Sequence, residues 1–203
     1  MLTFVVDISM KTRHVHIILL CILLLAGCKE KEEFVVEGRI AGATNPTVCF
    51  VTRHDSTPRI ETVYMKEGRF RFTASSKSLQ PVIIYFERGT NWVTVWAQNG
   101  QTITLYGDVN DPEQIRIRGN QVNNLLTDFK QEHKNTTDTA LVADAEDFVK
   151  NHPTSIASLV VIQDYLLGNA PEETVEACLN WIQSPAKDDP LYQRLCDEIL
   201  QLE

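Results

Sequence analysis

The five cysteines are the most reactive side chains in this sequence, and their spacing limits the chemistry they could do. No two of them form a C-x-x-C pair, so neither a thioredoxin-type redox centre nor a zinc site is indicated. No histidine has a second ligand at metal-binding spacing. His54-Asp55-Ser56 contains the residue types of a hydrolytic triad. Neighbours on one loop do not form a triad, however, and Asp and Ser favour a turn. We therefore expect no catalytic residue, no metal and no cofactor.

Cys28 has the most informative surroundings. It follows a Leu-Ala-Gly tripeptide at the end of the apolar run 17–25, and Lys11 and Arg13 precede that run. The run is shorter than the roughly 20 apolar residues of a spanning helix, and it ends in small residues, as signal peptides do. This pattern resembles a bacterial lipoprotein signal. In such signals the cysteine thiol is alkylated with diacylglycerol, the chain is cut before it, and the new amino group is acylated, for example with palmitate.

The resemblance implies lipidation at Cys28 after removal of a signal peptide at residues 1–27. The protein would then be an outer-membrane lipoprotein of the cell envelope, held to the membrane through its N-terminal lipid. An N-terminal transmembrane anchor is the alternative. Asp7 weakens the positive charge before the apolar run, so a start at Met10 instead of Met1 would give a more conventional signal.

Residues 28–33 form a charged tether behind the lipidated cysteine. Acidic residues at this place resemble the export signal of some surface-exposed lipoproteins, so periplasmic and surface orientations both stay open. The net charge of the whole sequence is −8, and it has no basic block. Nucleic-acid binding is therefore disfavoured. About 175 residues remain after the signal, enough for one domain or two small ones.

Residues 34–118 alternate apolar and polar side chains with the period of two that is typical of strands. Gly follows a short polar stretch in Lys66-Glu67-Gly68 and in Asn99-Gly100, and both are predicted to be hairpin turns. Roughly eight short strands with regular turns predict an antiparallel β-sandwich or a partly open barrel. Within this half, Cys49 is expected to be a small core residue.

Residues 119–203 change to a period of 3.6, as in the stripe Val122, Leu125, Leu126 and Phe129. The pattern predicts a small antiparallel array of helices, so the fold class is α+β. Asp138 should cap the second helix, and a third helix should run from Thr154 or Ser155 to a cap at Gly168. Two more helices should begin at Pro171 and at Asp189-Pro190.

Three segments of the β half, Phe34–Ile40, Gly68–Phe72 and Asn99–Gln101, together resemble a domain of unknown function. That domain typically stands at the N-terminus of lipid-anchored thiol-disulfide oxidoreductases, before a helical linker and a thioredoxin-like domain. Asn123–Leu126 and Asn151–Ser155 resemble parts of the linker. The sequence ends at Glu203, where the catalytic domain would begin, and it contains no C-x-x-C. The resemblance therefore implies an accessory module without a catalytic residue.

Trp92 and Trp96 fall on one face of a predicted strand, and Val93 and Val95 fall on the other. If the valine face is core, the two indoles form a platform for a sugar or a peptide. The alternative, which we favour, is that the helices cover this face and bury both indoles.

Cys178 and Cys196 lie symmetrically about the turn at residues 184–189 of an antiparallel helix pair, so they are a candidate disulfide. Helix axes are usually ~8–10 Å apart, whereas a disulfide needs Cα atoms within ~4.4–6.8 Å, so we favour two buried thiols. The sequence thus predicts a non-catalytic, lipid-anchored binding or scaffolding module with an envelope protein as its partner. The alternatives are an accessory role in thiol-disulfide exchange and carbohydrate or peptide binding at the cell surface.

Overall fold

The computed structural model describes residues 32–54, 57–87 and 91–200. Cys28 and the predicted signal peptide lie outside these residues. Eight strands are described, and apolar residues alternate with polar ones in several of them, such as β1 and β4, as the period of two predicts. They are β1 (Phe34–Ala41), β2 (Thr47–His54), β3 (Thr57–Tyr64), β4 (Arg69–Ala74), β5 (Gln80–Glu87), β6 (Asn91–Ala97), β7 (Thr102–Asp108) and β8 (Arg116–Arg118).

The strands form two four-stranded sheets with the orders β4-β1-β7-β8 and β3-β2-β5-β6. All neighbours within the sheets are antiparallel except β1 and β7, which are parallel. The inward side chains of the two sheets share one core, in which the rings of Phe50 and Phe72 stack with centroids 4.2 Å apart. The predicted α+β class with a β-sandwich is confirmed.

The two turns predicted as hairpins instead carry the chain from one sheet to the other. β3 and β4 lie in different sheets, as do β6 and β7. The turns themselves form as expected, with positive φ at Gly68 (72°) and Gly100 (86°). At the second turn, the side chain of Asn99 and the backbone N–H of Gly100 form hydrogen bonds with segments distant in the sequence. The Asn99 side chain accepts from the Ser76 N–H (2.7 Å), and the Gly100 N–H donates to the Glu33 carbonyl (3.0 Å). The sequence pattern identified where the chain reverses but not which strands pair.

Five α-helices follow in the described part of the chain, and most begin where the sequence predicts. The side chains of Asn120, Ser155 and Asp189 accept hydrogen bonds at the N-termini of three of them. Asp138 is not a cap: Thr137 holds that position without a side-chain bond, and Asp138 lies in the first turn. The helices are α1 (Gln121–Glu132), α2 (Asp138–Asn151), α3 (Ile156–Val161), α4 (Glu172–Trp181) and α5 (Pro190–Ile199).

The predicted third helix is interrupted. α3 ends at Val161, and the chain continues as a π-helix over Ile162–Leu166 before Gly168, which has a φ of 76°. The helices pack around their own apolar cluster, to which Trp96 of β6 also belongs. Within the described ranges, no helix has both the length and the apolar character needed to cross a membrane.

Helix α1 joins the helical part to the edge strands of both sheets. Asn123 accepts from the Trp96 backbone N–H (2.9 Å) and donates to the Trp96 carbonyl (2.8 Å) on β6. One turn later, the Thr127 hydroxyl donates to the Ile117 carbonyl (2.8 Å) and accepts from the Ile117 N–H (3.0 Å) on β8. Both side chains are buried. Because they replace a neighbouring strand at each edge, α1 closes one side of the sandwich and fixes where the helices lie.

Candidate functional site

The outer faces of the two sheets differ in character. On the sheet β3-β2-β5-β6, Ile60 lies opposite Val51, Val51 opposite Ile83, and Tyr85 opposite Trp92. We call these five residues the apolar face. The outer face of the other sheet is mostly polar and carries Glu37, Arg39, Arg69, Arg71, Thr104 and Arg116. An outer sheet face normally meets water and is polar, so an apolar one indicates a partner or a ligand.

A groove of about 820 Å³ opens between the apolar face and the helices. Val51, Ile83 and Thr94 line it on the sheet side. The facing side is mixed. It combines apolar Leu126, Val160 and Leu191 with the polar groups of Lys130 from α1, Gln163, Asp164 and Tyr165 from the π-helix, and Arg194 from α5. An apolar floor facing a few polar groups is the usual composition of a ligand site, in which the floor supplies affinity and the polar groups fix orientation.

The two tryptophans, which we expected the helices to bury together, lie in different environments. The Trp96 side chain is only 5% exposed, because it packs into the helical cluster and its backbone is bonded to Asn123. Both residues line the groove, but the side chain of Trp92 is 54% exposed. Both point to the same side of β6, but the helices cover only the end of the strand that carries Trp96. Trp92 is therefore the indole available to a ligand.

Charged groups of both signs surround the groove. The Lys130 ammonium lies 3.1 Å from a Glu113 carboxylate oxygen. The Asp164 side chain keeps contact with solvent, but the protein around it raises the pKa of this carboxyl by desolvation, while Lys130 lowers it and Glu113 raises it to smaller extents. Burial likewise raises the pKa of Tyr165. These groups can orient a ligand by hydrogen bonds and charge.

The groove lining that the structure describes contains no histidine and no cysteine. Across the described ranges, no group of three His, Cys, Asp or Glu side chains is placed to hold a metal ion. What the groove offers is therefore an apolar surface, one exposed indole and ionic groups. That combination suits recognition of an amphipathic ligand.

Sequence reasoning missed the π-helix and its contribution to the groove. A π-helical turn widens the helix locally, and such turns are frequent at functional sites. Here it places Gln163, Asp164 and Tyr165 along the groove. The available signal was the polar pair Gln163-Asp164 inside a stretch that is otherwise strongly apolar. The contacts of Asn123 and Thr127 were missed as well, because the buried side of α1 was predicted from its apolar residues only.

The three described cysteines are free thiols. Cys178 is fully buried in the helical cluster, and burial raises the pKa of its thiol to about 11. Glu146 of α2 raises this pKa and Lys150 of α2 lowers it, both to smaller extents. Cys196 is half-buried and lies near the side chain of Tyr192. The two sulfurs of the candidate disulfide thus have different neighbours. Cys49 is also half-buried, with its sulfur 3.5 Å from the Thr62 hydroxyl on the outer side of the sheet.

The fold is that of an α+β protein in which a two-sheet sandwich is followed by helices. Residues 34–126 match the family model described as "Domain of unknown function (DUF4369)". The matched segment contains all eight strands and the start of α1, including Asn123. It confirms the predicted resemblance of the β half to a domain of unknown function. No curated protein and no solved structure matches the chain.

Proposed function

We propose that this protein is a lipid-anchored cell-envelope binding module without catalytic activity, and that it binds a polypeptide segment of an envelope partner in the groove beside Trp92. Cys28, with its lipoprotein-like signal, would hold the module at the outer membrane, on its periplasmic or its outer side. The observation that carries the proposal is the apolar face, which opens into a groove of about 820 Å³.

A polypeptide fits this groove because the groove offers an apolar sheet surface and, across from it, ionic groups among apolar ones. Apolar side chains of a ligand would lie on Val51, Ile83 and Trp92, where they leave water. Polar groups of the same ligand would meet Asp164 and Arg194 across the groove. An extended peptide alternates between the two kinds of side chain and can satisfy both walls at once.

Carbohydrate is the second candidate ligand, and the exposed indole of Trp92 is the observation that favours it. An aromatic ring open to solvent can stack on the apolar side of a sugar, and Gln163 and Asp164 supply hydrogen-bonding groups nearby. The experiment below distinguishes the two ligand classes by the material that it captures.

The proposal is tested by photo-crosslinking in the native envelope. A photoreactive phenylalanine derivative replaces Trp92 in the full chain, and the same group replaces Tyr106 in a control. Tyr106 is 56% exposed, against 54% for Trp92, but it lies on β7 in the other sheet. We expect one main adduct from position 92 and none from position 106. A protease-sensitive adduct supports a polypeptide, and one that carries sugar supports the second candidate. Equal labelling at both positions, or none at 92, would refute a binding groove.

The anchor is tested separately by mass spectrometry of the mature protein. We expect its N-terminus to be an acylated cysteine at position 28, and Cys28→Ser to abolish both acylation and membrane retention. A mature N-terminus elsewhere, or one without acyl chains, would contradict the anchor and leave the groove proposal standing.

A further inference from the structure

Strand β3 has an open edge. It is the last strand of its sheet, and β2 is its only partner among the strands described. The Met65 N–H donates to the Pro46 carbonyl (2.7 Å), which fixes the alternation of hydrogen bonds between the two strands. Thr57, Arg59, Glu61 and Val63 must then bond to β2. The backbone groups of Pro58, Ile60, Thr62 and Tyr64 consequently point away from the sheet.

This edge also carries exposed apolar side chains. Ile60 is 69% exposed and Tyr64 is 79% exposed. Open edges are usually protected by being short, covered or bulged, or by proline and charged side chains, because unpaired backbone groups pair with other strands. β3 has eight residues, no register shift against β2, and no second strand partner among those described. Pro58, Arg59 and Glu61 are the features of its sequence that limit pairing at this edge.

We propose that β3 pairs antiparallel with β3 of a second copy of this chain, about a two-fold axis at Ile60. The two sheets then become one continuous eight-stranded sheet. This inference goes beyond the proposed function, since it needs neither the groove ligand nor the lipid anchor. A two-fold contact uses the same surface on both copies, so that surface must be complementary to itself.

The charges on β3 favour this register over the two registers next to it. With Ile60 opposite Ile60 of the second copy, Arg59 of each chain lies opposite Glu61 of the other. A register centred on Arg59 would place two arginines opposite each other, and one centred on Glu61 would do the same with two glutamates. Like charges directly opposite in a sheet are destabilising, whereas opposite charges stabilise it. Arg59 and Glu61 are exposed and already form an ion pair within one chain (3.0 Å), so four charges would meet in the dimer.

The backbone groups at the edge fit the same register. Ile60 of each copy can exchange N–H···O=C bonds with Ile60 of the other. Pro58 has no N–H, but its carbonyl can accept from the Thr62 N–H of the second copy. A proline at the edge therefore reduces the number of bonds without blocking the pairing.

Pairing of this kind would also bring the two apolar faces together. A two-fold axis perpendicular to the sheet keeps both outer faces on the same side, and Ile60 belongs to that face. The dimer would therefore present two grooves on one surface. A partner with two binding segments could occupy both of them, which raises its effective affinity.

The register is tested by cysteine crosslinking of the full chain in intact cells. Residues in a hydrogen-bonded antiparallel pair have Cα atoms ~5.5 Å apart, within the ~4.4–6.8 Å that a disulfide needs. We expect Ile60→Cys to give a covalent dimer under mild oxidation, with the disulfide between the two introduced thiols identified by mass spectrometry. Thr62→Cys is the matched control, because it lies opposite Pro58 and should give little dimer. Both variants also carry Cys49→Ser, since the Cys49 sulfur lies 3.5 Å from the Thr62 hydroxyl.

Charge reversal tests the same pairing without depending on fold stability. In the Ile60→Cys background, Arg59→Glu should abolish the crosslinked dimer, because two pairs of carboxylates would then face each other. Adding Glu61→Arg reverses both partners and should restore the dimer. The proposal would be overturned if the Ile60→Cys and Thr62→Cys variants crosslinked equally. It would also be overturned if the charge reversals left the dimer yield unchanged.

Discussion

Asn123→Ala should weaken the attachment of the helices to the sandwich. The wild-type side chain makes two buried hydrogen bonds to the backbone of Trp96, one as acceptor (2.9 Å) and one as donor (2.8 Å). After the substitution, the Trp96 carbonyl still accepts from the Asn120 side chain (2.8 Å). The Trp96 N–H loses the acceptor it has in the structure and stays in a buried position.

The size of the effect follows from these contacts. Two net hydrogen bonds contribute about 1–3 kcal/mol in total, and leaving a buried N–H unpaired costs a further ~1 kcal/mol or more. We therefore expect the free energy of unfolding to fall by about 2–4 kcal/mol. Urea unfolding, followed by circular dichroism and by tryptophan fluorescence, measures this difference directly.

Asn124→Ala provides the matched control one residue away. The Asn124 side chain accepts one longer bond from the Gly119 N–H (3.3 Å) in an exposed position. Its removal should cost less than about 1 kcal/mol, since exposed bonds exchange with water. If the two variants lost equal stability, or if Asn123→Ala lost less than about 1 kcal/mol, the role assigned to Asn123 at the edge of β6 would be refuted.

Two further predictions concern ionisable groups. Maleimide at about pH 8 should modify Cys196 well before Cys178, because the latter is buried and a pKa of about 11 leaves roughly one thiol in a thousand ionised; equal rates in the folded protein would contradict this. Asp164→Asn should stabilise the protein near neutral pH, because the folded state raises the pKa of this carboxyl and therefore disfavours its charged form. That gain in stability should shrink as the pH falls through the pKa of Asp164. Urea unfolding midpoints of the wild type and the variant, measured across pH, test this. A difference between the two midpoints that does not change with pH would contradict the reasoning.

The sequence was enough to predict the fold class, because local periodicity distinguishes strands from helices and capping residues mark where most helices begin. It could not predict which sheet each strand joins. Asn99-Gly100 has the composition of a hairpin turn, but its backbone and side chain bond to Glu33 and Ser76, which are distant in the sequence. The chain therefore crosses between sheets at that turn, and short-range rules carry no information about such partners.

The site shows the same limit more sharply. Trp92 and Trp96 are four residues apart on one strand, so their side chains point to the same side of it. From the sequence alone, both were therefore expected to have the same environment. The structure separates them because α1 covers only the Trp96 end of β6. The groove itself combines residues from Val51 to Arg194. Its shape depends on packing between parts of the chain that no local pattern connects.

The open groove follows from where α1 is fixed. An apolar sheet face would normally be covered by the helices that follow it, since covering Val51 and Ile83 removes apolar area from water. Here Asn123 and Thr127 bond α1 to the edge strands of both sheets, and the helices cannot slide across the face without breaking these buried bonds. Two buried polar side chains therefore keep the groove open against the hydrophobic effect, and this supports the proposal that Trp92 contacts a ligand.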